Sequence, residues 1–194
     1  AMVARGDLGV EIPIEEVPAA QRRIIRKCNH RAMPVITATQ MLNSMIDNPT
    51  PTRAEVTDIY GAILQGTDAV MLSGETAAGK YPIKSVDMMS RVIREGDHDM
   101  KCQINNQKFL PLIEDDEIPE AICKTGVMLA QQLNVDAIIC ASSSGSTAIR
   151  LSRYRPKCKL ISFSNSSQVV RRLTLYWGIE CHEQREIWET DRKS

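Results

Sequence analysis

Short strand-like runs alternate with amphipathic helix-like stretches along almost the whole chain of 194 residues. This alternation is typical of parallel strands joined by crossover helices. The expected strands span residues 2–4, 34–40, 67–74, 136–141, 159–164 and 179–183. We therefore expect an α/β protein, a class in which ligands bind at the carboxyl ends of the strands.

Helix-like segments fill the intervals between these strands. Thr52, with Glu55 three residues later, forms a capping box after a proline-rich turn and predicts a helix that ends at Gly66. In a segment that begins near residue 119, apolar side chains recur at helical spacing: Ile118, Ile122, Leu129 and Leu133. The other expected helices span 14–31, 83–95, 148–154 and 168–176.

A polar, aperiodic stretch from residue 97 to about 114 separates the two runs of alternating elements. We interpret its centre as a linker, because neither periodicity nor apolar content favours a packed element there. The predicted organisation is a first domain over 1–100, a linker over 101–114 and a second domain over 115–194.

Charge and cysteine content exclude several classes of protein. The chain has 24 basic and 24 acidic residues, so it has no excess of positive charge that would favour binding to nucleic acid or an anionic membrane. Its 6 cysteines are scattered without a C-x-x-C pair, which disfavours a disulfide framework and a zinc site. No apolar run approaches the roughly 18 residues of a membrane span, and no signal pattern is present. We expect a soluble, cytoplasmic protein with reduced thiols, cut from a longer chain because strand-like sequence begins at once.

Polar residues and glycines cluster at the expected strand ends. They are Arg5, Gly6 and Asp7 after the first strand, Thr37 and Thr39 within the second, and Ser73, Gly74, Glu75 and Thr76 after the third. Backbone N–H groups near Gly6 can meet a carboxylate or phosphate, because glycine allows close approach. Asp7 offers a hard oxygen ligand suited to Mg²⁺ or Mn²⁺. The hydroxyls of Thr39 and Ser73 can orient a substrate or pass a proton through water.

Four stretches closely resemble signature sequences of the pyruvate kinase family: MVARGDLGVE, PVITATQML, NPTPTRAEV and AVMLSGETAAGKYP. They match in their order along the chain, in their spacing and in their local sequence. A looser resemblance through RYRPKCKLISFS extends over nearly the whole chain. The resemblance implies a partial TIM (β/α)₈ barrel, its last three βα units, followed by a small regulatory α/β domain with a mostly parallel sheet. It also implies an enzyme that transfers a phosphoryl group from phosphoenolpyruvate to ADP, giving pyruvate and ATP in glycolysis.

The resemblance implies roles for five residues. Asp7 is similar to one of two carboxylates that hold Mg²⁺ or Mn²⁺. The backbone N–H groups of Gly6 and Asp7, with the hydroxyl of Thr39, resemble the cradle for the substrate's carboxylate. Thr39, Ser73 and Glu75 resemble catalytic residues, of which Ser73 and Glu75 relay the proton that quenches the enolate. These roles suit phosphoryl transfer, which depends on positioning and charge neutralisation.

Other parts of the family's site lie upstream of the stretches found here. They are the second metal carboxylate, a lysine that neutralises the transferred phosphoryl group, the K⁺ ligands, a substrate-binding arginine and the lid domain. We therefore expect the chain alone not to turn over. The family forms tetramers, which implies a homo-oligomer with Arg53 near a subunit interface. Three strands cannot close a barrel, so we expect partner chains to cover the open edges or the chain to aggregate.

A hydroxyl-rich turn between an expected strand and helix is a second candidate site. It comprises Ser142, Ser143, Ser144, Gly145, Ser146 and Thr147. Its hydroxyls and backbone N–H groups can bind a phosphate at the positive end of the helix. The similar loop of pyruvate kinases binds the phosphate of a sugar-phosphate activator, so the resemblance implies an effector site, which we expect to be weak in this chain.

Simpler interpretations stand beside these. Thr52 and Glu55 serve mainly as a cap, Glu75 favours a helix start, and the 142–147 turn is equally suited to a plain tight connection. The charges at 22, 23, 26 and 27 are most simply a solvated helix face. An alternative from another class is a non-catalytic phosphate-binding or oligomerisation module. A Lys-x-Glu triplet roughly 20 residues upstream in the parent reading frame would favour the enzyme.

Overall fold

The computed structural model describes residues 1–104 and 118–184, with side chains up to residue 100 in the first range. The chain divides into two compact units, Ala1–Asn105 and Asn106–Ser194. Each unit contains a three-stranded parallel sheet with crossover helices. The predicted α/β class is confirmed, and the two small sheets are consistent with a partial barrel followed by an α/β domain.

Unit 1 has the strand order β1-β2-β3. Its strands are β1 (Met2–Ala4), β2 (Ile36–Ala38) and β3 (Ala69–Met71). Its helices are α1 (Arg5–Glu11), α2 (Val17–His30), α3 (Arg53–Leu64), α4 (Gly74–Ala77) and α5 (Pro82–Ile104), with 3₁₀ turns at Ile14–Glu16 and Asn43–Ile46. One apolar cluster joins α3 and α5, and another packs α2 against β1. The first cluster also contains Met41 and Leu42, which follow β2, so it packs this segment against α3 and α5.

The capping box that begins α3 is confirmed. The Thr52 hydroxyl accepts from the Glu55 backbone N–H at 3.3 Å, and the Glu55 carboxylate accepts from the Thr52 N–H at 2.8 Å. The same carboxylate also accepts from the Ser44 N–H at 2.7 Å. Glu55 therefore joins the start of α3 to the segment that follows β2. The helix closes at Gly66, whose φ of 91° is a left-handed value that glycine adopts easily.

Three helical segments differ from the sequence prediction. Residues 5–11 and 74–77 form α1 and α4, although their glycines and charges gave no helical periodicity. The helix predicted over 83–95 continues to Ile104 and enters the range predicted as a linker. The rest of that predicted linker, 105–114, lies outside the described residues. Glycine and polar residues interrupt an apolar pattern without preventing helical hydrogen bonds, which explains the differences.

Unit 2 has the strand order β4-β5-β6, and the strands are parallel. Its elements are α6 (Ile118–Leu133), β4 (Ala137–Ala141), α7 (Ser146–Arg153), β5 (Lys159–Ser164), α8 (Ser167–Leu173) and β6 (Ile179–Glu183). Cys123 and Val127 of α6 pack with Leu151, Tyr154 and Leu160 to form the core of this unit. The apolar residues that predicted α6 lie instead on its exposed side.

No helix within residues 1–104 and 118–184 has the length and apolar character of a membrane span. The cysteines described in these ranges, Cys28, Cys123, Cys140, Cys158 and Cys181, are free thiols. Burial raises the pKa of the Cys123 and Cys140 thiols, so both are inert as nucleophiles at neutral pH.

Candidate functional site at the strand ends of unit 1

The strands of unit 1 end level with one another. Ala4 of β1 is the register partner of Ala38 in β2, and Ala38 is the partner of Met71 in β3. Because the strands are parallel, the residues that follow them share one edge of the sheet. This edge carries the polar clusters that the sequence placed after the strands, and we call it the strand-end rim: residues 5–7, 39–42 and 72–75.

Gly6 and Thr39 are in direct contact on the rim. The Gly6 backbone N–H donates to the Thr39 hydroxyl oxygen at 2.9 Å, at an exposed position. Asp7 follows in the first turn of α1 and is also exposed. Backbone N–H groups in the first turn of a helix lack intrahelical acceptors, so the Asp7 N–H has no acceptor within α1. The structure thus brings together Gly6, Asp7 and Thr39, three of the predicted site residues.

Thr39 lies in an unusual backbone turn. Thr39 and Gln40 have φ values of 69° and 53°, in the left-handed region that residues with a Cβ rarely adopt. Such conformations persist when surrounding contacts over-determine them, and they cluster at functional sites. Here the Arg5 guanidinium donates to the Thr39 carbonyl oxygen at 2.6 Å.

Glu75 is buried behind the rim. Its side chain is 2% exposed, and its two oxygens accept from the Leu42 N–H at 2.9 Å and the Ser73 N–H at 2.8 Å. The Ser73 side chain is exposed. Of this predicted catalytic pair, only Ser73 therefore presents its side chain to solvent, while Glu75 joins the segments that follow β2 and β3.

Sequence reasoning gave the side chain of Arg5 no role, missed its partner Asp58, and included Thr37, which lies beneath the rim. The Arg5 side chain had no predicted role, yet it contacts the Thr39 turn and forms an ion pair with Asp58 of α3. Asp58 carried no sequence signal, because it lies 53 residues from Arg5. Thr37 is fully buried and donates to the Thr67 hydroxyl at 3.0 Å, so it supports the sheet. Arg53 is exposed at the start of α3.

The second candidate site, the 142–147 turn, joins β4 to α7. Gly145 has a φ of 78° and precedes the first residue of α7. The hydroxyls of Ser144 and Ser146 are exposed and lie 3.1 Å apart. The Ser146 N–H donates to the Ser144 hydroxyl at 3.4 Å, so a phosphate bound here would compete with Ser144 for this N–H group.

Two residues modify the prediction for this turn. Ser142 is buried and its N–H donates to the Phe163 carbonyl at 2.9 Å, so that N–H extends the sheet. Arg172 of α8, which sequence reasoning missed, donates from its guanidinium to the Ser144 carbonyl oxygen. It adds a positive charge beside the turn, where an anionic ligand would benefit from it.

Comparison with protein families identifies both units. The model of the pyruvate kinase barrel domain matches residues 1–86, and that of the pyruvate kinase alpha/beta domain matches residues 120–193. A pyruvate kinase of Clostridium acetobutylicum is 49% identical over 181 residues, which cover 92% of this chain and 37% of that protein. One from Geobacillus stearothermophilus is 46% identical over 191 residues, covering 98% of this chain and 32% of that protein.

The fold also matches a solved structure. The crystal structure of a pyruvate kinase from Cryptosporidium parvum superposes with a TM-score of 0.87 at 40% sequence identity. The match covers 97% of this chain and 38% of that one. This chain therefore spans between 32% and 38% of the length of these relatives.

Proposed function

Because the chain belongs to the pyruvate kinase family, we propose that its strand-end rim is part of a site that transfers a phosphoryl group from phosphoenolpyruvate to ADP. The products would be pyruvate and ATP, and the role glycolytic, in the cytoplasm. The observation that carries the proposal is the contact between Gly6 and Thr39 at the shared edge of three parallel strands.

Asp7 and Thr39 bind the substrate carboxylate in this proposal, through the Asp7 backbone N–H and the Thr39 hydroxyl. Gly6 positions the Thr39 hydroxyl, because its own backbone N–H already donates to the Thr39 oxygen. Donors fixed in this way stabilise an anion without reorganising when it binds. The exposed Ser73 hydroxyl then lies at the end of the neighbouring strand, where it can help deliver a proton to the enolate.

Within the described residues, Asp7 is the carboxylate that we propose as a ligand of a divalent cation. Its carboxylate is exposed, and Mg²⁺ commonly takes one or two carboxylates with waters and substrate phosphates. Within residues 1–104 and 118–184, no group of three or more His, Cys, Asp or Glu side chains is placed to hold a metal. Asp7 therefore supplies one ligand, and the bound Mg²⁺ or Mn²⁺ would neutralise phosphoryl charge. We assign no K⁺ ligand to this chain.

Glu75 acts through the backbone in this proposal. Its oxygens are occupied by two N–H groups and its side chain is buried, which supports an orienting role over direct proton transfer. Ser73 then contacts the substrate, and Glu75 holds the Ser73 backbone.

Binding tests this site without requiring turnover. We expect Mn²⁺ to increase the affinity of the chain for phosphoenolpyruvate, and Asp7→Asn to remove the increase. Asp87→Asn, at an exposed position on α5, is the control and should bind as the wild type does. If Mn²⁺ leaves phosphoenolpyruvate affinity unchanged in the wild-type chain, the proposed site is wrong.

The chain alone should not catalyse the reaction. Within residues 1–104 and 118–184, no group of three or more His, Cys, Asp or Glu side chains is placed to hold a metal, and Asp7 is the only carboxylate that we assign to it. Loss of one stabilising charge typically costs several kcal/mol of transition-state stabilisation. A coupled assay that converts pyruvate to lactate should detect no phosphoenolpyruvate- and ADP-dependent signal above a no-enzyme control. Appreciable turnover would contradict this expectation.

We propose that the 142–147 turn binds the phosphate of a sugar-phosphate effector. The support is the pair of Ser144 and Ser146 hydroxyls at the start of α7 and the nearby Arg172. Fructose 1,6-bisphosphate should shift the backbone amide signals of Ser144, Ser146 and Thr147, and Arg172→Gln should weaken the binding. Equal shifts in the Arg172→Gln variant would exclude Arg172 from the site.

The partner of the chain in this proposal is a second copy of itself. The exposed apolar residues of α6 are Ile118 at 76%, Ile122 at 65%, Leu129 at 53% and Leu133 at 62% exposure. They lie on the side opposite Cys123 and Val127, which pack into the core. A stripe of this kind on a helix that already has a buried face indicates a contact surface. It also gives the alternative oligomerisation role a structural basis.

A further inference from the structure

We infer that Arg5 and Glu75 are positioning residues that clamp rim segment 38–42 from two sides and so place the Thr39 hydroxyl. This inference deepens the proposed function, on which the role of Thr39 rests. Neither side chain needs to touch the substrate. Each instead holds backbone atoms of the segment that carries Thr39.

Arg5 holds the carbonyl side of the segment. Its guanidinium donates to the Thr39 carbonyl oxygen at 2.6 Å and 3.2 Å, and to the Ala38 carbonyl oxygen at 3.3 Å. It also contacts the Met41 sulfur at 2.8 Å. The Arg5 side chain is 11% exposed, so these contacts form largely out of water, where charge-assisted hydrogen bonds are strong.

Asp58 fixes the guanidinium. Its carboxylate pairs with the terminal nitrogen of Arg5 that does not contact the Thr39 carbonyl. The planar fork of arginine reaches both the carboxylate and the two carbonyls at once, whereas the single ammonium of lysine cannot. The ion pair therefore links the Thr39 turn to α3, whose first turn is already joined to the same segment through Glu55 and Ser44.

Glu75 holds the amide side of the segment. Its carboxylate accepts from the Leu42 N–H at 2.9 Å and from the Ser73 N–H at 2.8 Å. The buried carboxylate thus places the segment after β2 against the segment after β3. Arg5 and Glu75 together bind carbonyl and amide groups on both sides of Gln40.

The backbone of Thr39 and Gln40 explains why a clamp is needed. Two consecutive residues with a Cβ have positive φ, 69° and 53°, and neither is glycine. Such a turn relaxes unless its carbonyls and amides are held elsewhere. If it relaxed, the Thr39 hydroxyl would leave the Gly6 N–H, and the proposed cradle would lose one of its groups.

Hydrogen exchange at the Gly6 amide tests the clamp directly in the 194-residue chain. We expect Arg5→Lys and Asp58→Asn to speed this exchange by about tenfold or more, the factor for one charge-assisted hydrogen bond. Asp58→Glu should restore slow exchange. The control is Asp87→Asn, which removes the exposed ion pair between Asp87 and Arg91.

Two measurements separate positioning from general stability. In the clamp variants, a thermal midpoint below that of Asp87→Asn reports the lost Arg5 contacts, whereas exchange at Val3 and Ile36 should change less than exchange at Gly6. The inference is overturned if Gly6 exchange stays at the wild-type rate, or if all three amides accelerate together. If Arg5→Lys does not fold, Asp58→Asn decides the question, because it leaves Arg5 in place.

Phosphoenolpyruvate affinity in the presence of Mn²⁺ links the clamp to function. If the wild-type chain binds and Asp58→Asn weakens the affinity by about tenfold, the clamp and the site are both supported. If Asp58→Asn alters Gly6 exchange while the wild-type chain shows no binding, the clamp stands and the proposed function fails. If the wild-type chain binds and Asp58→Asn binds equally well, the Thr39 turn is not held for the substrate, and the inference fails.

Discussion

The Tyr154 hydroxyl donates a hydrogen bond to the Glu120 carboxylate in the core of unit 2. Both side chains are almost completely buried, at 1% and 2% exposure. Arg153 donates to the same carboxylate at 3.1 Å, and the Arg150 guanidinium lies 3.6 Å from it. A buried carboxylate of α6 is therefore compensated by α7 and the residue after it, which fixes the helix that begins at the 142–147 turn.

Replacing Glu120 with Gln should strongly destabilise unit 2. The substitution removes the buried charge that pairs with Arg153, and breaking a buried ion pair typically costs about 3–5 kcal/mol. Urea denaturation followed by circular dichroism measures the free energy of unfolding. Glu95→Gln, at an exposed position of α5, is the control. A loss below about 1 kcal/mol would show that the cluster is not a stabilising network.

Tyr154 should make unit 2 sensitive to alkaline pH. Burial raises the pKa of the Tyr154 hydroxyl, and the hydrogen bond to Glu120 raises it further. Because the folded-state pKa lies above the unfolded value of 10.0, the stabilisation is complete below that pH and is lost as pH rises through it. The free energy of unfolding of wild type should fall more steeply above pH 10 than that of Tyr154→Phe. If the free energy of unfolding falls equally with pH in wild type and Tyr154→Phe, Tyr154 is not the group responsible.

Helix α6 shows how far periodicity could guide the sequence analysis. Ile118 and Leu129 recur at helical spacing and correctly predicted a helix. The helix also carries Cys123 and Val127 on a second apolar side, and these are the residues that reach the core. Periodicity identifies a helix, but it cannot choose between two apolar sides when only the sheet determines which one is buried.

The sequence predicted which residues lie on the strand-end rim, but not the contacts that hold them there. Parallel strands and the polar residues after them placed Gly6 and Thr39 on one edge, and the structure joins them by a hydrogen bond. The positive φ of Thr39 had no signal, because glycine and asparagine are the residues that indicate such turns. The Arg5–Asp58 pair arises only when the folded sheet brings α3 over the first strand end.

Acid should weaken the start of α3 through Glu55. Burial raises the pKa of this carboxyl, but hydrogen bonds from Ser44 and Thr52 outweigh it, and the net pKa lies below 4.5. The stabilisation is present above the unfolded pKa and is lost as pH falls through the folded one. Glu55→Gln should cost about 1 kcal/mol at neutral pH and flatten the acid side of the stability profile. If Glu55→Gln leaves the pH dependence of stability on the acid side unchanged, Glu55 does not cause the loss of stability in acid.

Gly145→Ala should destabilise the 142–147 turn. The residue has a φ of 78°, and an added Cβ would lie 3.0 Å from Leu173 and 3.1 Å from Val169. Backbone strain and steric crowding both act here, so we expect the free energy of unfolding to fall by roughly 1–3 kcal/mol and phosphate binding to weaken. Gly61→Ala in α3 is the control, and its effect on stability should have the opposite sign, because nothing lies within 4 Å of the added Cβ. It should gain about 0.5–1 kcal/mol of stability.

We propose that the apolar stripe of α6 pairs with its own copy. Ile118 and Leu133 lie at equal distances from the helix midpoint, and so do Ile122 and Leu129. The midpoint falls between Thr125 and Gly126, and an added Cβ at Gly126 would meet no atom within 4 Å. An antiparallel copy related by a two-fold axis would therefore place each isoleucine against a leucine, with the smallest side chains at the crossing.

This symmetry gives a direct prediction for assembly. Ile122→Lys should shift the chain from dimer to monomer in sedimentation equilibrium, because the two-fold axis places both new charges inside one contact. Leu129→Lys should have the same effect, since it faces the same position from the partner. Val86→Lys on α5, at a position 54% exposed, is the matched control and should leave the mass unchanged. A wild-type chain that is monomeric at all concentrations tested, or a dimer unaffected by Ile122→Lys, would exclude α6 as the contact.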